Sequence, residues 1–353
     1  MIAVIIAGGS GTRLWPLSTY TQPKHLLKLI DNDYSLLQST YARAKKLSDK
    51  VIVITEASHS GTLKKQLPRL SSKSFIVEPG RRGTAGCIVA ALDYIARHYG
   101  NSSDEPIAFL AADHHIRDVE GFVRSFHVAA DVSKRYGKIV LVGVEPTYPA
   151  TGFGYIEKAE TVGESSGVAY RVSQFKEKPT FKVAQQYIST GRYLWNCGYF
   201  VGSINTFLKE MKANAPTLAE NYDKLCAIND PQSQQYKDVY LRFENQVIDI
   251  ALIEKAKDLV VIPASFDWMD VGNSNDLHAA NELDQLSNYV HGNNIHSVDV
   301  ENGYIRNEEP EKPIVVIGMD NVVVVNTKDG ILISRKDLSP KVGDIAKQIQ
   351  ARD

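Results

Sequence analysis

The chain has 353 residues, 43% of them hydrophobic and 23% charged, a composition typical of a soluble globular protein that can bury a large core. Lysine and arginine total 40 against 41 aspartate and glutamate residues, and no basic run stands out, which argues against a surface that binds nucleic acid. The three cysteines are widely spaced, so we expect neither a disulfide framework nor a zinc site, and a cytoplasmic location fits best.

The first predicted element is a buried strand, Ile2 to Ile6, within the N-terminal segment MIAVIIAGGSG. Its apolar run is too short for a membrane span, and it lacks the basic leader of a signal peptide. No other stretch of the sequence approaches the length needed to cross a bilayer. We therefore expect no membrane anchor.

Short β-branched segments then alternate with segments of helical periodicity. Strands that alternate with helices of this length pair in parallel through right-handed crossovers. We predict a three-layer α/β sandwich with a mostly parallel, Rossmann-like sheet that binds its ligands at the carboxyl ends of the strands. The further predicted strands are 51–54, 75–77, 107–111 and 139–142, and the predicted helices are 36–47, 84–98 and 120–136.

The sequence changes character from about Asn288, where short strands are separated by Gly, Asn and Asp with no helices between them. This pattern predicts a small all-β domain, whose strands could be coils of a very short β-helix. We place the boundary between a nucleotidyltransferase-type domain, 1–285, and a C-terminal domain, 286–353. A final helix is predicted over 342–350.

A glycine-rich loop, GGSGTR at 8–13, directly follows the first strand. Glycines let backbone N–H groups approach a phosphate, and Arg13 supplies a planar cation for phosphate oxygens. The loop lacks the third glycine of a dinucleotide-binding fingerprint and the Gly-Lys-Ser/Thr of a P-loop. Neither of these well-known motifs explains it, and an ordinary structural turn is the remaining alternative.

The longer string GGSGTRLWPLS, followed by Pro23-Lys24-His25, resembles the signature of the sugar nucleotidylyltransferases. Its details are most similar to the mannose-1-phosphate guanylyltransferase branch of that family. Further segments resemble the family's motifs and occur in the family's order, which supports the resemblance across the first 280 residues or so. These segments are EPGRRGTA at 78–85, AADH at 111–114, TGFGYI at 151–156, FKEKP at 175–179, WNCGYF at 195–200 and FDWMDVG at 266–272.

The resemblance implies an enzyme that transfers GMP from GTP to α-D-mannose 1-phosphate, giving GDP-mannose and pyrophosphate, with Mg²⁺ as cofactor. We also expect a homodimer. The implied catalytic residues are Arg13, Lys24 and Lys178, and the implied magnesium ligands are Asp113 and Asp270. The implied nucleotide-binding residues are Gly8, Gly9, Gly11, Thr12, Arg13, Lys24, Glu78, Arg82, Thr84 and Ala85, and the implied sugar-phosphate-binding residues are Gly152, Glu177, Lys178 and Asn196.

The implied reaction is an in-line attack by the sugar phosphate on the α-phosphorus of the nucleotide. Such a transfer asks the protein mainly for positioning and for stabilisation of charge. The nucleophile is already an anion, so no general base is needed. This agrees with the absence of a recognisable Ser-His-Asp or Cys-His arrangement from the sequence.

The sequence departs from the family at Gly83, where asparagine is usual, at Gly86, where proline is usual, and after Gly272. The first two departures predict looser selectivity for GTP, which a Gly83→Asn substitution should sharpen. Taken alone, Asp113 could instead cap a helix, and Glu177 and Lys178 could lie in a solvated loop.

Two other functions stay open at this point. The enzyme could use another nucleotide, or a heptose, fucose or glucose 1-phosphate. A catalytically inactive regulatory relative is the other alternative, although the intact Arg13, Lys24, Asp113, Lys178 and Asp270 argue against it. No segment corresponds to the phosphomannose isomerase domain of some longer relatives, so we predict the transferase activity alone.

Overall fold

The computed structural model describes residues 1–9, 11–30, 33–100, 104–163 and 169–350, except for the side chain of Gln350. The chain forms two compact units, each assembled from segments that are far apart in sequence. Unit 1 comprises Met1–Gly8, Thr40–Ala112 and Ile116–Trp268, and unit 2 comprises Gly9–Ser39, Asp113–His115 and Met269–Asp353. The predicted domain boundary between residues 285 and 286 stays a prediction.

The helices and strands lie close to where their sequence patterns place them, with shifts of at most two residues at the ends of the predicted elements. The strands are β1 (Ile2–Ala7), β2 (Val51–Glu56), β3 (Phe75–Glu78), β4 (Ile107–Ala111), β5 (His114–His115), β6 (Val140–Val144), β7 (Tyr155–Thr161), β8 (Tyr170–Lys176), β9 (Tyr193–Gly202), β10 (Val260–Pro263), β11 (Met269–Asp270), β12 (Tyr289–Gly292), β13 (Ile295–Glu301), β14 (Tyr304–Asn307), β15 (Ile314–Asp320), β16 (Val322–Thr327) and β17 (Gly330–Arg335). The α-helices are α1 (Leu36–Leu47), α2 (Ala57–Gln66), α3 (Gly83–Tyr99), α4 (Val119–Tyr136), α5 (Phe181–Thr190), α6 (Ile204–Asn214), α7 (Pro216–Cys226), α8 (Gln234–Leu241), α9 (Ser274–Ala280) and α10 (Val342–Gln350).

Unit 1 is built on a sheet whose described part has nine strands in the order β3-β2-β1-β4-β9-β6-β10-β8-β7. The strands β1 to β4 pair in parallel, as do β6 and β10. Strand β9 runs antiparallel to β4, β6 and β7, and β8 runs antiparallel to both β7 and β10. The predicted α/β class is confirmed, but the sheet is mixed from β9 onward. The connection from β7 to β8 is too short for a crossover helix, so these strands pair antiparallel.

Helices cover both faces of this sheet. All residues of β1 from Ile2 to Ile5 are fully buried, as expected for a strand covered on both sides. Phe109 of β4 meets Phe207 of α6 edge to face, with ring centroids 5.3 Å apart. Tyr199 of β9 instead packs against Phe126 of α4, at 5.5 Å. Unit 1 is therefore the predicted three-layer sandwich.

In unit 2 the C-terminal strands form two sheets. Strands β12, β14 and β16 pair in parallel in one sheet, where β17 adds an antiparallel strand to β16. Strands β13 and β15 pair in parallel in the other sheet. Because successive strands alternate between the sheets, the unit contains the coils of a short β-helix, and the predicted C-terminal β-rich domain is confirmed. Its core consists of Val300, Ile305, Val316, Val322 and Val324.

The closing helix α10 has the predicted bounds and contacts the 3₁₀ turn Thr12–Leu14, which also belongs to unit 2. Helices within the described ranges are all too short or too polar to span a bilayer. Cys87, Cys197 and Cys226 are all free thiols.

Candidate active site

The glycine-rich loop depends on close packing between Gly11 and Lys24 in unit 2. Gly11 has a φ of 64°, which glycine adopts far more readily than other residues. A Cβ atom at this position would lie 2.6 Å from Cβ of Lys24. The hydroxyl of Ser18 also donates a hydrogen bond to the Gly11 carbonyl. The loop therefore needs glycine at position 11 to lie beside Lys24.

The ammonium group of Lys24 bridges two carboxylates from distant parts of the sequence. Its Nζ lies 2.9 Å from Oδ2 of Asp113 and 2.8 Å from Oδ1 of Asp270. A short antiparallel ladder between β5 and β11 positions the two carboxylates, because Asp270 pairs with His114. The Lys24 side chain is only 7% exposed, whereas those of Asp113 and Asp270 are 30% and 23% exposed. The carboxylates thus stay accessible to a ligand.

All three groups of this cluster favour their charged forms. Burial opposes the charge on Lys24, but the attraction of Asp113 and Asp270 outweighs it and raises the pKa of Lys24. Burial also opposes the two carboxylate charges, and the attraction of Lys24, assisted by His114, lowers the pKa of both aspartates. At neutral pH the cluster is an ion triad.

Arg13 reaches the same part of unit 2. A Cβ atom built at Gly272 would lie 3.4 Å from Nη1 of Arg13, and the guanidinium also contributes to the low pKa of Asp270. A Cβ atom at Gly343, in the first turn of α10, would lie 2.7 Å from Cγ of Arg13. Unit 2 therefore brings together four of the residues implied in phosphate and metal binding: Arg13, Lys24, Asp113 and Asp270.

The carboxylate pair fits a magnesium ion. Both carboxylates contact the same ammonium group, that of Lys24, so both could contact one metal ion. Both are also partly exposed, so that water and phosphate oxygens could complete a coordination shell. Mg²⁺ is typically bound by one or two carboxylates together with substrate phosphates. Across the residues that the structure describes, no group of three or more His, Cys, Asp or Glu side chains could hold a metal by itself. In this structure the ammonium group of Lys24 offsets the charges of the two carboxylates.

The turn that follows Asp270 is held by Asp276. Its Oδ2 accepts hydrogen bonds from the backbone N–H groups of Gly272, at 2.8 Å, and of Asn273, at 3.1 Å. The side chain of Asn273 in turn caps α9 in a reciprocal capping box with Asp276. The departure from the family pattern after Gly272 thus has a structural explanation.

In unit 1, three of the sequence motifs meet at Gly154. A Cβ atom at Gly154 would lie 2.7 Å from Oε2 of Glu177 and 3.3 Å from Cβ of Asn196. The backbone N–H of Asn196 donates to the Gly154 carbonyl at 2.8 Å, and Oε1 of Glu177 lies 2.9 Å from Nζ of Lys178. Of the residues implied in sugar-phosphate binding, Glu177, Lys178 and Asn196 therefore lie together, with Gly152 exposed in the turn before β7.

A further acidic residue, Asp249, belongs to this cluster and was missed by the sequence reasoning. Its Oδ1 accepts a hydrogen bond from Nδ2 of Asn196 at 2.7 Å. Burial, together with the negative charge of Glu177, raises the pKa of Asp249 to about 6. The only signal in the sequence was an acidic residue inside the apolar run VIDIALI.

The residues implied in binding the nucleotide's base and ribose lie at the end of β3 and the start of α3. Glu78 is nearly buried, and its Oε1 accepts hydrogen bonds from Tyr240 and, at 3.1 Å, from Sγ of Cys87. Burial raises the pKa of Glu78. Arg82 donates from its guanidinium to the backbone carbonyl of Leu241. Both side chains thus bond to residues of their own unit.

Two more of these residues bind the chain segment that follows α8. The Thr84 hydroxyl accepts a hydrogen bond from the N–H of Ile248 at 2.8 Å, and the N–H of Ala85 donates to the Gln246 carbonyl at 3.2 Å. The start of α3 and residues 246–248 therefore form one hydrogen-bonded wall in unit 1.

Residues 2–286 match the family model described as nucleotidyl transferase. The chain belongs to this family. The xanthan biosynthesis protein XanB of Xanthomonas campestris pv. campestris (strain B100) is 34% identical over 99% of this chain and 73% of its own length. A mannose-1-phosphate guanylyltransferase of Escherichia coli (strain K12) is 34% identical over the same shares of the two chains. These similarities extend through the C-terminal β-rich region.

A solved structure shows that the similarity includes the three-dimensional fold. The crystal structure of mannose-1-phosphate geranyltransferase from Thermus thermophilus superposes with a TM-score of 0.85, covers 99% of both chains and is 27% identical in sequence. The nucleotidyltransferase fold and the β-rich C-terminal region therefore occur together in that protein as in this one.

The structure of this nucleotidyltransferase leaves little room for a side chain at Gly83. Its φ is 69°, and a Cβ atom there would lie 2.0 Å from the Gln246 carbonyl oxygen. At Gly86 a Cβ atom would lie 2.7 Å from Cβ of Arg82 and 3.0 Å from the hydroxyl of Tyr240. That asparagine at 83 would sharpen base selectivity stays a prediction, and the structure adds that the Gln246 carbonyl occupies the space of that side chain and would have to move.

Proposed function

We propose that this nucleotidyltransferase transfers GMP from GTP to α-D-mannose 1-phosphate and releases pyrophosphate. The observation that carries the proposal is the similarity to the Escherichia coli mannose-1-phosphate guanylyltransferase over 99% of this chain. Two clusters of residues support it. The cluster around Lys24 in unit 2 offers charged groups for phosphates and a metal ion, and the cluster around Gly154 in unit 1 offers hydrogen-bonding groups for a sugar.

In the proposed reaction, a phosphate oxygen of mannose 1-phosphate attacks the α-phosphorus of GTP. The new P–O bond forms in line with the bond to the β-phosphate, which breaks as pyrophosphate leaves with the electron pair. Both reactants are anions, so the barrier falls when cations and N–H donors offset their charge. Arg13 and Lys24, with the backbone of Gly8, Gly9, Gly11 and Thr12, are proposed to bind the triphosphate.

Family members are in general metal-dependent, and we propose Mg²⁺ as the ion, with Asp113 and Asp270 as its ligands. When bound, the ion would neutralise charge on the phosphates and act as a Lewis acid. Lys24 occupies the same carboxylate oxygens in this structure, so the residue is proposed to release at least one of them when nucleotide and metal bind. Its ammonium group can then bind a phosphate oxygen.

The cluster around Gly154 is proposed to bind mannose 1-phosphate. Glu177 is a hydrogen-bond acceptor for sugar hydroxyls, Asn196 offers an amide donor, and Lys178 is a cation for the sugar's phosphate. The Lys178 side chain is 59% exposed, so it can turn toward a phosphate, whereas that of Glu177 is 13% exposed. Gly152 lies in the adjacent turn. Glu78, Arg82, Thr84 and Ala85 are proposed to form the wall that receives the base and ribose.

The first prediction concerns substrate choice. Among all pairs of four nucleoside triphosphates with mannose, glucose, fucose and heptose 1-phosphates, GTP with mannose 1-phosphate is expected to give the highest kcat/KM. Pyrophosphate release measures each pair. A different pair that exceeds it by more than about tenfold, or about 1.4 kcal/mol in transition-state binding, would show that the proposed substrates are wrong.

The second prediction separates the roles of Lys178 and Arg13. Lys178→Ala is expected to raise KM for mannose 1-phosphate by about tenfold or more, since a charge-assisted contact is lost, and to leave KM for GTP within about twofold. Arg13→Ala is expected to raise KM for GTP by about tenfold or more and to leave KM for mannose 1-phosphate within about twofold. Lys182→Ala, which removes an exposed lysine of unit 1, is the control and should match the wild type. Equal effects of Lys178→Ala and Arg13→Ala on both substrates would contradict the division.

A homodimer and a cytoplasmic location are part of the proposal and stay predictions. The three free thiols are consistent with a reducing compartment. Exposed apolar side chains of β13 and β15, such as Val298 and Ile317, are consistent with a surface that a second copy covers.

A further inference from the structure

Asp249 lies in the cluster around Gly154, although it belongs to none of the sequence motifs and has no role in the reaction proposed above. It begins the π-helical turn Asp249–Ile253. Such turns are rare in proteins and are frequently found at functional sites. The residue is half-buried, so part of it remains accessible to a ligand.

Asp249 fixes the orientation of the Asn196 amide. Nδ2 of Asn196 donates to Oδ1 of Asp249 at 2.7 Å, and Oδ1 of Asn196 accepts from the N–H of Gly198 at 3.0 Å. An amide has two N–H donors, so one donor of this nearly buried side chain remains for a ligand. The ionised form of Asp249 is purely an acceptor, which makes the opposite amide orientation unfavourable.

The negative charge of the Asp249 carboxylate is energetically unfavourable at this position. Burial disfavours the negative charge of Asp249 and raises its pKa, and the nearby charge of Glu177 adds to that effect. Within the described residues no Lys or Arg nitrogen approaches Asp249 within 4.0 Å, and Lys178 attracts it only from farther away. An asparagine of the same shape would bond to Asn196 without this cost. The charge is therefore better explained by a ligand than by stability.

We propose that Asp249 is a further sugar-binding residue, which orients Asn196 and, with Glu177, accepts hydrogen bonds from hydroxyl groups of the sugar 1-phosphate. Two acceptor carboxylates and one amide donor match a ring with several hydroxyl groups, each of which can donate. This inference rests on the proposed function only in that the ligand is a sugar 1-phosphate. It adds a determinant of sugar selectivity that is separate from the phosphate contact of Lys178.

The decisive experiment compares Asp249→Asn with the wild type on mannose 1-phosphate and on its 2-, 3-, 4- and 6-deoxy analogues. With mannose 1-phosphate, kcat/KM is expected to fall by about 10- to 100-fold, the range for a hydrogen bond to a charged group. KM for GTP should stay within about twofold. For the analogue that lacks the partner hydroxyl, the same substitution should cost less than about threefold, because the contact is already absent.

Asp258→Asn is the matched control, since it also neutralises a partly exposed aspartate of unit 1, which pairs with Lys138. It should leave both KM values unchanged. An Asp249→Asn enzyme with normal kcat/KM would overturn the proposal. An equal loss on mannose 1-phosphate and on every deoxy analogue would also overturn it, because the residue would then act only through the fold.

A pH series supplies an independent readout of the same carboxylate. Its charge faces Glu177, Lys178 and the Asn196 amide, and its pKa of about 6 lies above the ordinary range for aspartate. The ratio of kcat/KM for the wild type to kcat/KM for Asp249→Asn, measured with mannose 1-phosphate, should therefore fall toward one as the pH falls below about 6. The sugar phosphate titrates in the same range, but its effect cancels in the ratio of the two enzymes. A pH-independent ratio would contradict direct acceptance by the carboxylate.

Thermal unfolding separates this role from a structural one. A raised carboxyl pKa means that the folded state holds its proton longer, so stability falls as the pH rises from about 4 to about 6. Asp249→Asn should therefore raise the melting temperature above pH 6 and not below pH 4. A lower melting temperature at pH 7 would show that the charge stabilises the fold, contrary to the proposal.

Failure of the proposed function is distinguishable from failure of this inference. If the wild type prefers another sugar 1-phosphate, the mannose assignment is wrong, and the same comparison made with that sugar and its deoxy analogues decides the role of Asp249. A wild type that neither turns over nor binds any sugar 1-phosphate in calorimetry overturns both.

Discussion

Replacing Asp113 or Asp270 with asparagine is expected to lower turnover at saturating magnesium by at least about two orders of magnitude, the scale of losing one electrostatic stabiliser. Each substitution removes a charge and nearly preserves the shape of the side chain. The remaining carboxylate would bind the metal more weakly, and Lys24 would lose one of its two partners. Pyrophosphate release, measured against magnesium concentration, should show both a lower maximum and a higher magnesium requirement.

Asp337→Asn is a suitable control for these variants. Asp337 is also in unit 2, but it is 56% exposed and pairs with Arg335 at the surface, where such pairs contribute little. It should behave as the wild type. If Asp113→Asn and Asp270→Asn both keep normal turnover and magnesium dependence, the metal ligands lie elsewhere and the triad with Lys24 is structural.

Introducing a side chain at Gly83 is expected to destabilise unit 1 by roughly 3 kcal/mol or more. A left-handed backbone costs asparagine less than about 1 kcal/mol, and overpacking adds about 1–3 kcal/mol, occasionally more. The Gln246 carbonyl, 2.0 Å from the new Cβ atom, would have to move and would lose its hydrogen bond from Ala85. Urea unfolding of Gly83→Asn measures the loss directly.

Gly137→Asn separates the two causes of this loss. Gly137 has a similar φ of 59°, but no atom lies within 4 Å of a Cβ built there. Asparagine tolerates this backbone region, so its cost should stay below about 1 kcal/mol. If Gly83→Asn folded as stably as the wild type and preferred GTP more strictly, the segment around Gln246 would have moved. The original expectation from the sequence would then be right.

The sequence alone was sufficient for the features that depend on short-range pattern. Helix α1 and strand β4 have the predicted bounds, because their periodicity and their flanking residues are local. The glycine-rich loop was recognised from consecutive residues, and the later motifs from their order along the chain. The mixed part of the sheet was not predicted, because nothing in the pattern of β9 itself states the direction of its neighbours.

Only the tertiary structure decided how these residues meet. Lys24 and Asp270 are 246 positions apart, and their contact depends on the ladder between β5 and β11. Asp249 and Asn196 are 53 positions apart, and the apolar run that contains Asp249 shows no functional pattern by itself. From the sequence, Gly83 was interpreted as the loss of a side chain that the family places there. The structure shows that a side chain at this position would clash with the Gln246 carbonyl. Local sequence determines backbone preference and burial, whereas the role of a charged group or of a glycine depends on the neighbouring residues that the fold brings to it.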